Sequence, residues 1–208
     1  MTNLFYINAS PRGDAAASTQ AAAKFREALP ASINVEQMDL FDAGLPEFTG
    51  ELASAKQKFL MGQELTGAEQ QQWQAVTQLV EQFVGADHYL FGVPMWNFNV
   101  PYKLKQYIDL ITHPGLTFTR DEQGIRGLAS GATTVIYSRG GDYSPKDGAP
   151  DPYDFQSPYL RAWLGLVGLG PVTEVLVQST MAGPDALTAA VQGAAGQLVA
   201  AAQQLGDG

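Results

Sequence analysis

Strand-like and helix-like segments alternate along the whole chain, and this alternation restricts the fold more than any other feature. Short runs of β-forming residues lie at 4–7, 33–38, 87–93, 133–137 and 173–177. The run at 87–93 does not alternate between apolar and polar residues, as expected for a central strand covered on both faces. Five strands separated by helices predict an open, parallel α/β sheet with helices on both faces.

Helical spacing of apolar residues fills most of the intervals between the strands. Residues 40–65 are the exception, because glycines and a proline interrupt them, and we expect irregular backbone there. Thr66 and Glu69 form a capping-box pattern at the start of one helix. The predicted helices cover 18–29, the segment after Thr66, 101–113, about 158–167 and about 184–205.

The amino-acid composition excludes several kinds of chemistry. The chain has 208 residues, which predicts a single domain over 1–208, and it has no Cys and two His. A thiolate nucleophile, a disulfide framework and a three-His metal site are therefore ruled out, and we expect no metal. The net charge of −9 disfavours nucleic acid as a partner. The G-x-S-x-G elbow of a Ser–His–Asp hydrolase is absent.

The sequence also predicts where the protein works. No apolar run reaches the ~18–20 residues of a membrane span, and the first ten residues lack the pattern of a signal peptide. We therefore expect a cytoplasmic protein that does not bind membranes. Charged residues make up 16% of the chain, below the usual ~25%. This value fits a surface that is buried against a partner, although Ala- and Gln-rich helices would give the same value.

Three unusual loops follow the first, third and fourth strands. In a parallel α/β sheet, ligands bind outside the carboxyl ends of the strands, where the strand order reverses. The first loop, 10–20, leads into a helix that Ser18 or Thr19 could cap. Its free N–H groups suit a phosphate, and Ser10 could add a hydroxyl; a capped loop without a ligand remains the alternative. The loop has neither the P-loop pattern nor G-x-G-x-x-G.

The other two loops carry aromatic residues and paired glycines. Residues 94–101 place Met95, Trp96 and Phe98 directly after a buried strand, and such groups suit a flat heteroaromatic ring or, alternatively, core packing. Gly140 and Gly141 would let the backbone approach a ligand closely, or simply form a turn. The fold would deliver all three loops to one sheet edge.

These motifs resemble those of the FMN-dependent NADH-azoreductases, the AzoR/AcpD-like branch of the flavodoxin-like quinone reductases. The resemblance implies a flavodoxin-like fold with strand order 2-1-3-4-5. It also implies an enzyme that uses NADH or NADPH and FMN, by a ping-pong order, to reduce quinones and cleave azo bonds. The matching segments are Pro94 to Pro101, Lys103 to Asp109, Gly115 to Thr119, Ser138 to Gly141, Pro158 to Leu160 and Leu164-Gly165.

The resemblance implies specific roles for the loop residues. It assigns the FMN phosphate to Ser10 and residues 16–18, the isoalloxazine to residues 95–98, and its polar edge to residues 138–141. Position by position, the implied FMN-binding residues are Ser10, Ala16, Ala17, Ser18, Met95, Trp96, Asn97, Phe98, Ser138, Arg139, Gly140 and Gly141.

Among these, we hypothesise that Asn97 and Gly140 contact the flavin's polar edge. Arg139 could contact phosphate or nicotinamide, or could brace its loop. The chain departs from the family pattern at Ala16 and Ala17, where members often carry polar residues, and in the long loop 142–157.

The family pattern further implies a homodimer in which each subunit completes the other's pocket. The apolar segments 40–65 and 116–128 are candidates for that interface. We place Phe118 and Trp163 at the substrate cavity, with core or dimer packing as the alternative. The competing functions are a flavodoxin-like electron carrier or regulatory protein without substrate turnover, and a flavin-free binding module.

The two histidines have no predicted catalytic role. His88 opens a buried strand and is expected to be structural. His113 lies at a helix end, where the helix dipole would favour its cationic form.

Overall fold

A five-stranded parallel sheet organises the molecule in the computed structural model, which describes residues 2–206. The strands lie in the order β2-β1-β3-β6-β7, so the predicted fold and strand order are confirmed. The elements are β1 (Thr2–Asn8), α1 (Ala17–Glu27), β2 (Ile33–Asp39), α2 (Gly50–Leu60), α3 (Gly67–Val84), β3 (His88–Pro94), α4 (Tyr102–Ile111), β4 (Phe118–Asp121), β5 (Gly124–Gly127), β6 (Thr133–Ser138), α5 (Gln156–Val167), β7 (Val172–Val177) and α6 (Ala186–Gln203).

The central strands are buried on both faces, and each face has its own core. Successive side chains of β1 alternate between the two: Phe5 and Ile7 pack in one core, and Leu4 and Tyr6 in the other. Helices α2, α3, α4 and α5 cover the first core, while α1 and α6 cover the second. This two-sided cover explains the uninterrupted apolar run of β3.

The segment 40–65 contains a helix, α2, so the expectation of irregular backbone was wrong for residues 50–60. The Thr49 hydroxyl caps this helix by accepting from Leu52 N at 3.2 Å. Leu52 and Ala55 are buried on its inner face. Gly50 and Gly62 lie at the first position and just after the end, where glycine does not break a helix.

The predicted capping box of α3 is present, and it also ties α2 to α3. Glu69 Oε2 accepts from Thr66 N at 2.8 Å, which satisfies one of the free N–H groups at the helix start. The same carboxylate accepts from Lys58 Nζ, at the end of α2, at 2.8 Å.

Residues 118–127 form a small antiparallel hairpin, β4–β5, outside the main sheet. Phe118 pairs with Gly127, and Asp121 with Gly124. The hairpin contacts α5 and presents Ile125 with 54% of its surface exposed. Within residues 2–206, no helix is both long enough and apolar enough to cross a membrane.

The strand register places the carboxyl ends of β1, β3 and β6 side by side. Asn8 is opposite Gly92, and Pro94 is opposite Ser138. The three loops singled out in the sequence therefore leave the sheet at the same edge.

Candidate functional site

One cavity of about 230 Å³ lies at this edge, and the three loops meet around it. Each contributes a part of the wall, but four of the residues predicted to bind FMN are not in the lining: Ser18, Asn97, Phe98 and Gly141. The lining residues are Ser10, Arg12, Ala16 and Ala17 after β1, Pro94, Met95 and Trp96 after β3, Ser138, Arg139 and Gly140 after β6, and Thr180 and Met181 after β7.

The start of α1 forms the polar end of the cavity. Ala16 is the N-cap residue, with φ −84° and ψ 136°, and no side chain caps this helix. Ser18 and Thr19, predicted as possible caps, lie instead in its first turn. The N–H groups of that turn therefore remain available to an anion, which the helix dipole would also attract.

Ser18 adds a buried hydroxyl at the same helix start. Its side chain is fully buried, and among residues 2–206 its Oγ has no hydrogen-bond partner. Ser10 is also buried, and its Oγ accepts from Arg12 N at 3.4 Å. A buried polar atom without a partner costs free energy, so it marks a place where a polar ligand group would fit.

The loop after β3 is a tight turn that fixes its aromatic residues. Trp96 and Asn99 exchange two backbone hydrogen bonds, at 2.8 and 3.0 Å, and Met95 N donates to Ser138 O at 2.8 Å. Asn97 and Phe98, between them, have positive φ angles of 46° and 72°. Non-glycine residues adopt this conformation rarely and at a cost, which is typical of functional turns.

This turn separates the side chains that the sequence grouped together. Met95 and Trp96 line the cavity, whereas Asn97 lies in the wall of a larger neighbouring cavity. Phe98 packs against Tyr153 and Tyr143, with ring centres 5.1 and 6.4 Å apart. The long loop 142–157 therefore lies beside the turn and supports it.

The loop after β6 brings backbone to the cavity wall. Ser138 is buried, and Gly140 packs so closely on Met181 that a Cβ atom there would lie 2.9 Å from the Met181 sulfur. Gly141 lies against the ring of Tyr143. The side chain of Arg139 is 2% exposed and its guanidinium binds protein groups, so of the roles left open for it the structure supports bracing.

A fourth loop, after β7, also lines the cavity and was not identified in the sequence. Thr180 N donates to Arg139 O, and Met181 N donates to Gly140 O, both at 3.2 Å. Met181 is 85% exposed at the cavity mouth. The rule that ligands bind at the carboxyl ends of strands, applied to the fifth strand, would have indicated this loop.

A larger and more apolar cavity of about 580 Å³ adjoins the first. Trp96 belongs to the walls of both cavities, and its ring packs near those of Phe41 and Tyr102. The other residues lining the larger cavity are Phe48, Asn97, Asn99, Val100, Tyr102, Lys105, Gln106, Asp109 and Tyr159. A small polar cavity beside a wide aromatic one can hold a cofactor next to a flat substrate.

Neither residue predicted for the substrate cavity lines these two cavities of the single chain. Trp163 is 5% exposed and packs in the core against Phe83 and Phe91, while its Nε1 donates to Thr112 Oγ1 at 3.0 Å. The helical spacing of the apolar residues of α5 turns Trp163 toward the sheet. Phe118 is half-buried at the start of the hairpin.

The two histidines lie away from the cavity lining. His113 is fully buried, and its Nε2 lies 2.6 Å from Leu110 O. Burial, reinforced by the charge of Lys56, lowers the pKa of His113 to about 4. Burial therefore disfavours the cationic form, opposite to the effect expected of the helix dipole. Burial also lowers the pKa of His88.

Comparison with known protein families agrees with the architecture. A family model described as a flavodoxin-like fold matches residues 2–202 of this chain. The match spans all five strands of the sheet and the four loops at their carboxyl ends.

Two relatives of known name are similar over most of their length. An FMN-dependent NADH:quinone oxidoreductase of Desulfotalea psychrophila is 44% identical over 187 residues, which cover 87% of each chain. FMN-dependent NADH:quinone oxidoreductase 3 of Pseudomonas fluorescens is 40% identical over 212 residues, which cover 99% of this chain and 98% of the relative.

A solved structure shows the same similarity in three dimensions. The FMN-dependent NADH-azoreductase of Bacillus anthracis, determined in complex with FMN, superposes with a TM-score of 0.86 and is 30% identical. The superposition covers 99% of both chains.

Proposed function

Since the chain belongs to the flavodoxin-like fold family, we propose that it is an FMN-dependent oxidoreductase that takes electrons from NADH or NADPH and reduces quinones and aromatic azo compounds. The names of its relatives support this activity. The observation that carries the proposal is the single cavity in which the loops after β1, β3 and β6 meet.

The residues around this cavity fit FMN. The uncapped start of α1 and the unpartnered Ser18 hydroxyl suit the phosphate, and the small Ala16 and Ala17 leave the helix N–H groups accessible. Met95 and Trp96 provide flat and polarisable surface for the ring system. Gly140 provides a wall without a side chain.

In the proposed site these residues position the cofactor and stabilise its charge, and none of them acts as a nucleophile. FMN, when bound, accepts a hydride from a nicotinamide and passes two electrons to an acceptor. The N–H group of Gly140 lies at the smaller cavity and the Asn97 amide in the wall of the larger cavity that adjoins it. From these two sides they would reach the polar edge of the ring and stabilise negative charge there. A ping-pong order follows if the nicotinamide and the acceptor use the same open side of the cavity in turn.

The larger cavity beside Trp96 supports an enzyme over an electron carrier. A carrier that exchanges electrons with a protein needs no cavity for a small molecule, whereas the 580 Å³ cavity has room for a quinone or azo compound. A carrier or regulatory protein without turnover is the alternative that the experiment below tests.

We further propose that the working form is a homodimer and that it is cytoplasmic. Exposed apolar side chains on α2 and on the hairpin support the dimer, because they would leave water at an interface. In such a dimer Phe118 of one subunit could cover the cavity of the other. The exposed residues are Phe59, Leu60, Met61 and Ile125.

The proposed function is tested by colour and turnover. The purified protein, reconstituted with FMN, should be yellow, lose its colour on anaerobic addition of NADH, and regain it with benzoquinone or an azo dye. Parallel titrations with NADPH would rank the two reductants. A protein that binds no FMN would contradict the proposal, and one that is bleached but turns over neither acceptor would support the carrier.

The Asn97 assignment has its own test. Asn97→Ala should weaken FMN binding or lower turnover, because it removes the amide proposed to reach the polar edge of the ring from the larger cavity. Asn34→Ala, on β2, is the matched control, since its amide donates to Asn3 Oδ1 on the strand next to it. Unchanged FMN affinity and turnover in Asn97→Ala would show that the assignment is wrong.

A further inference from the structure

Arg139 is a buried arginine beside the cavity, and each of its three side-chain nitrogens has a protein partner. Nε donates to Gln156 Oε1 at 3.0 Å, Nη1 to Gln178 Oε1 at 3.2 Å, and Nη2 to Asp154 Oδ2 at 2.8 Å. The guanidinium also lies over the rings of Tyr137 and Tyr143, 5.5 and 5.9 Å from their centres.

Two partners of Arg139 connect the cavity loops to one another. Gln156 donates from Nε2 to Val93 O at 3.0 Å, just before the turn that carries Met95 and Trp96. Gln178, after β7, accepts from Tyr143 N at 3.1 Å and donates to Ser144 Oγ at 2.9 Å. One cation therefore links the ends of β3, β6 and β7.

The third partner, Asp154, connects the cation to the start of α5. It accepts from Ser157 N at 3.0 Å and from Ser157 Oγ at 2.6 Å. Burial alone would raise the pKa of Asp154, but the Ser157 hydrogen bonds and the Arg139 charge together hold it below its ordinary value. The ion pair is thus present at neutral pH.

The backbone of Arg139 is held as firmly as its side chain. Its carbonyl accepts from Thr180 N at 3.2 Å and from Thr180 Oγ1 at 3.1 Å. Thr180 therefore fixes the carbonyl of the peptide that leads into Gly140 with two hydrogen bonds. Three of the five N–H groups of the guanidinium are thus bound, and the side chain is only 1% exposed, which limits the access of a phosphate to it.

We propose that Arg139 is a positioning residue for the flavin site: its buried guanidinium, held by Asp154, Gln156 and Gln178, sets the place of the Ser138–Gly141 segment and does not bind the phosphate. The inference rests on the proposed FMN function. Of the roles that the sequence leaves open for Arg139, it selects bracing of the loop over contact with the phosphate.

Comparison of FMN with riboflavin, which lacks the phosphate, separates the two roles. If Arg139 positions the ring-binding loop, Arg139→Met should weaken both ligands by the same factor, about tenfold or more. Arg139→Lys should not restore binding, because an ammonium cannot make three bonds in the geometry of the fork. If Arg139 binds phosphate, FMN affinity alone should fall and Lys should restore most of it.

Turnover at saturating FMN is the second measurement. A misplaced loop should lower kcat even when every subunit carries FMN, whereas a lost phosphate contact should leave kcat unchanged. Circular dichroism shows whether Arg139→Met folds. If it does not, Gln178→Ala tests the inference instead, because it keeps the ion pair with Asp154 and loosens the same loop. We expect it to weaken riboflavin binding and lower kcat in the same direction.

Arg161→Met is the matched control, because Arg161 forms a comparable but exposed pair with Glu174 at 2.7 Å. It should leave FMN and riboflavin affinities and kcat unchanged. Wild-type riboflavin affinity and kcat in both Arg139→Met and Gln178→Ala would overturn the inference. Failure of the wild-type protein to bind FMN would instead contradict the proposed function.

Discussion

Ala16 shows how a side chain that cannot form a helix cap can leave a binding site open. It occupies the N-cap position of α1 in the extended conformation that suits a capping Asp or Ser, and it lines the smaller cavity. An alanine there leaves the helix N–H groups to a ligand.

Ala16→Asp should therefore have opposite effects on stability and on binding. The carboxylate should cap α1 and raise the unfolding free energy of the FMN-free protein by about 1 kcal/mol. It should also repel the phosphate and weaken FMN binding by at least about tenfold. Denaturant unfolding and a fluorescence titration measure the two effects.

The control for this substitution is Ala23→Asp, which adds the same charge to an exposed position of α1 further from its start. It should leave FMN affinity near the wild-type value. Equal affinities for FMN in the wild type and Ala16→Asp would contradict the placement of the phosphate at this helix.

His113 makes a prediction about pH. Its pKa is about 4 in the folded protein, against 6.5 for a free histidine. The unfolded chain therefore binds a proton between these values that the folded protein does not. The contribution of neutral His113 to the unfolding free energy is fully present above pH 6.5. It is lost as the pH drops toward 4, which lowers the unfolding free energy by up to about 3 kcal/mol.

His113→Gln should flatten this fall in unfolding free energy, measured by denaturant titration at a series of pH values. The amide cannot titrate but can still donate toward Leu110 O. His88→Gln is the comparison, since His88 is half-buried and should account for less of the fall. A slope between pH 4.5 and 6.5 that is the same in His113→Gln and the wild type would contradict the assignment.

At the scale of elements, the turn at residues 96–99 combines strain with function. Phe98 has φ 72°, a conformation that favours glycine over any residue with a Cβ. Its ring nevertheless packs on Tyr153, on the loop beside the cavities. The phenylalanine is thus held in place against its own backbone preference.

Phe98→Gly should consequently be more stable than Phe98→Ala by about 1 kcal/mol, although both lose the same ring. At Val199, in the exposed middle of α6, the order should be reversed, with Ala more stable than Gly by about 1 kcal/mol. Thermal or denaturant unfolding of the four variants tests this. The same order at both positions would contradict the left-handed turn.

Elements differ in how well the sequence predicts them. The capping box before α3 and the apolar run of β3 are local signals, and both elements were predicted to within a few residues. Helix α2 was missed because Gly50 and Gly62 resemble breakers until their positions at its two ends are known. For Trp163 the structure favours core packing, the alternative that the sequence left open, because an aromatic residue on a helix does not reveal from sequence which neighbours cover it.

At the scale of the whole molecule, the proposed homodimer predicts a mass in solution. One chain is 22.3 kDa, and analytical ultracentrifugation of the wild type should give twice that value. Ile125→Asp places a charge on the exposed hairpin and should weaken association by about a hundredfold, since burying an unpaired carboxylate costs at least ~3 kcal/mol.

Val199→Asp controls for the added charge, because Val199 lies on α6, which covers the opposite face of the sheet from the hairpin. This variant should remain a dimer with wild-type turnover. Full quinone reduction by a monomeric Ile125→Asp protein would contradict a pocket shared between subunits.

The sequence by itself determined the sheet and the edge at which its loops meet. The alternation of strand and helix patterns predicts an open parallel sheet with helices on both faces, and these patterns can be recognised because each depends on neighbours along the chain. The loops after β1, β3 and β6 were found in this way, along with Ser10, Met95, Trp96 and Gly140 in the cavity wall. The strand order came from the family resemblance.

Tertiary structure alone decided which way the side chains point. It placed Asn97 and Phe98 away from the cavity that Met95 and Trp96 line, and it added Thr180 and Met181 to the wall of that cavity. It also directed the Arg139 side chain into a buried hydrogen-bond network. These outcomes depend on contacts between residues far apart in the chain, such as Arg139 with Gln178. Burial and hydrogen bonds with residues distant in the chain determine these side-chain directions, and no local sequence pattern identifies those residues.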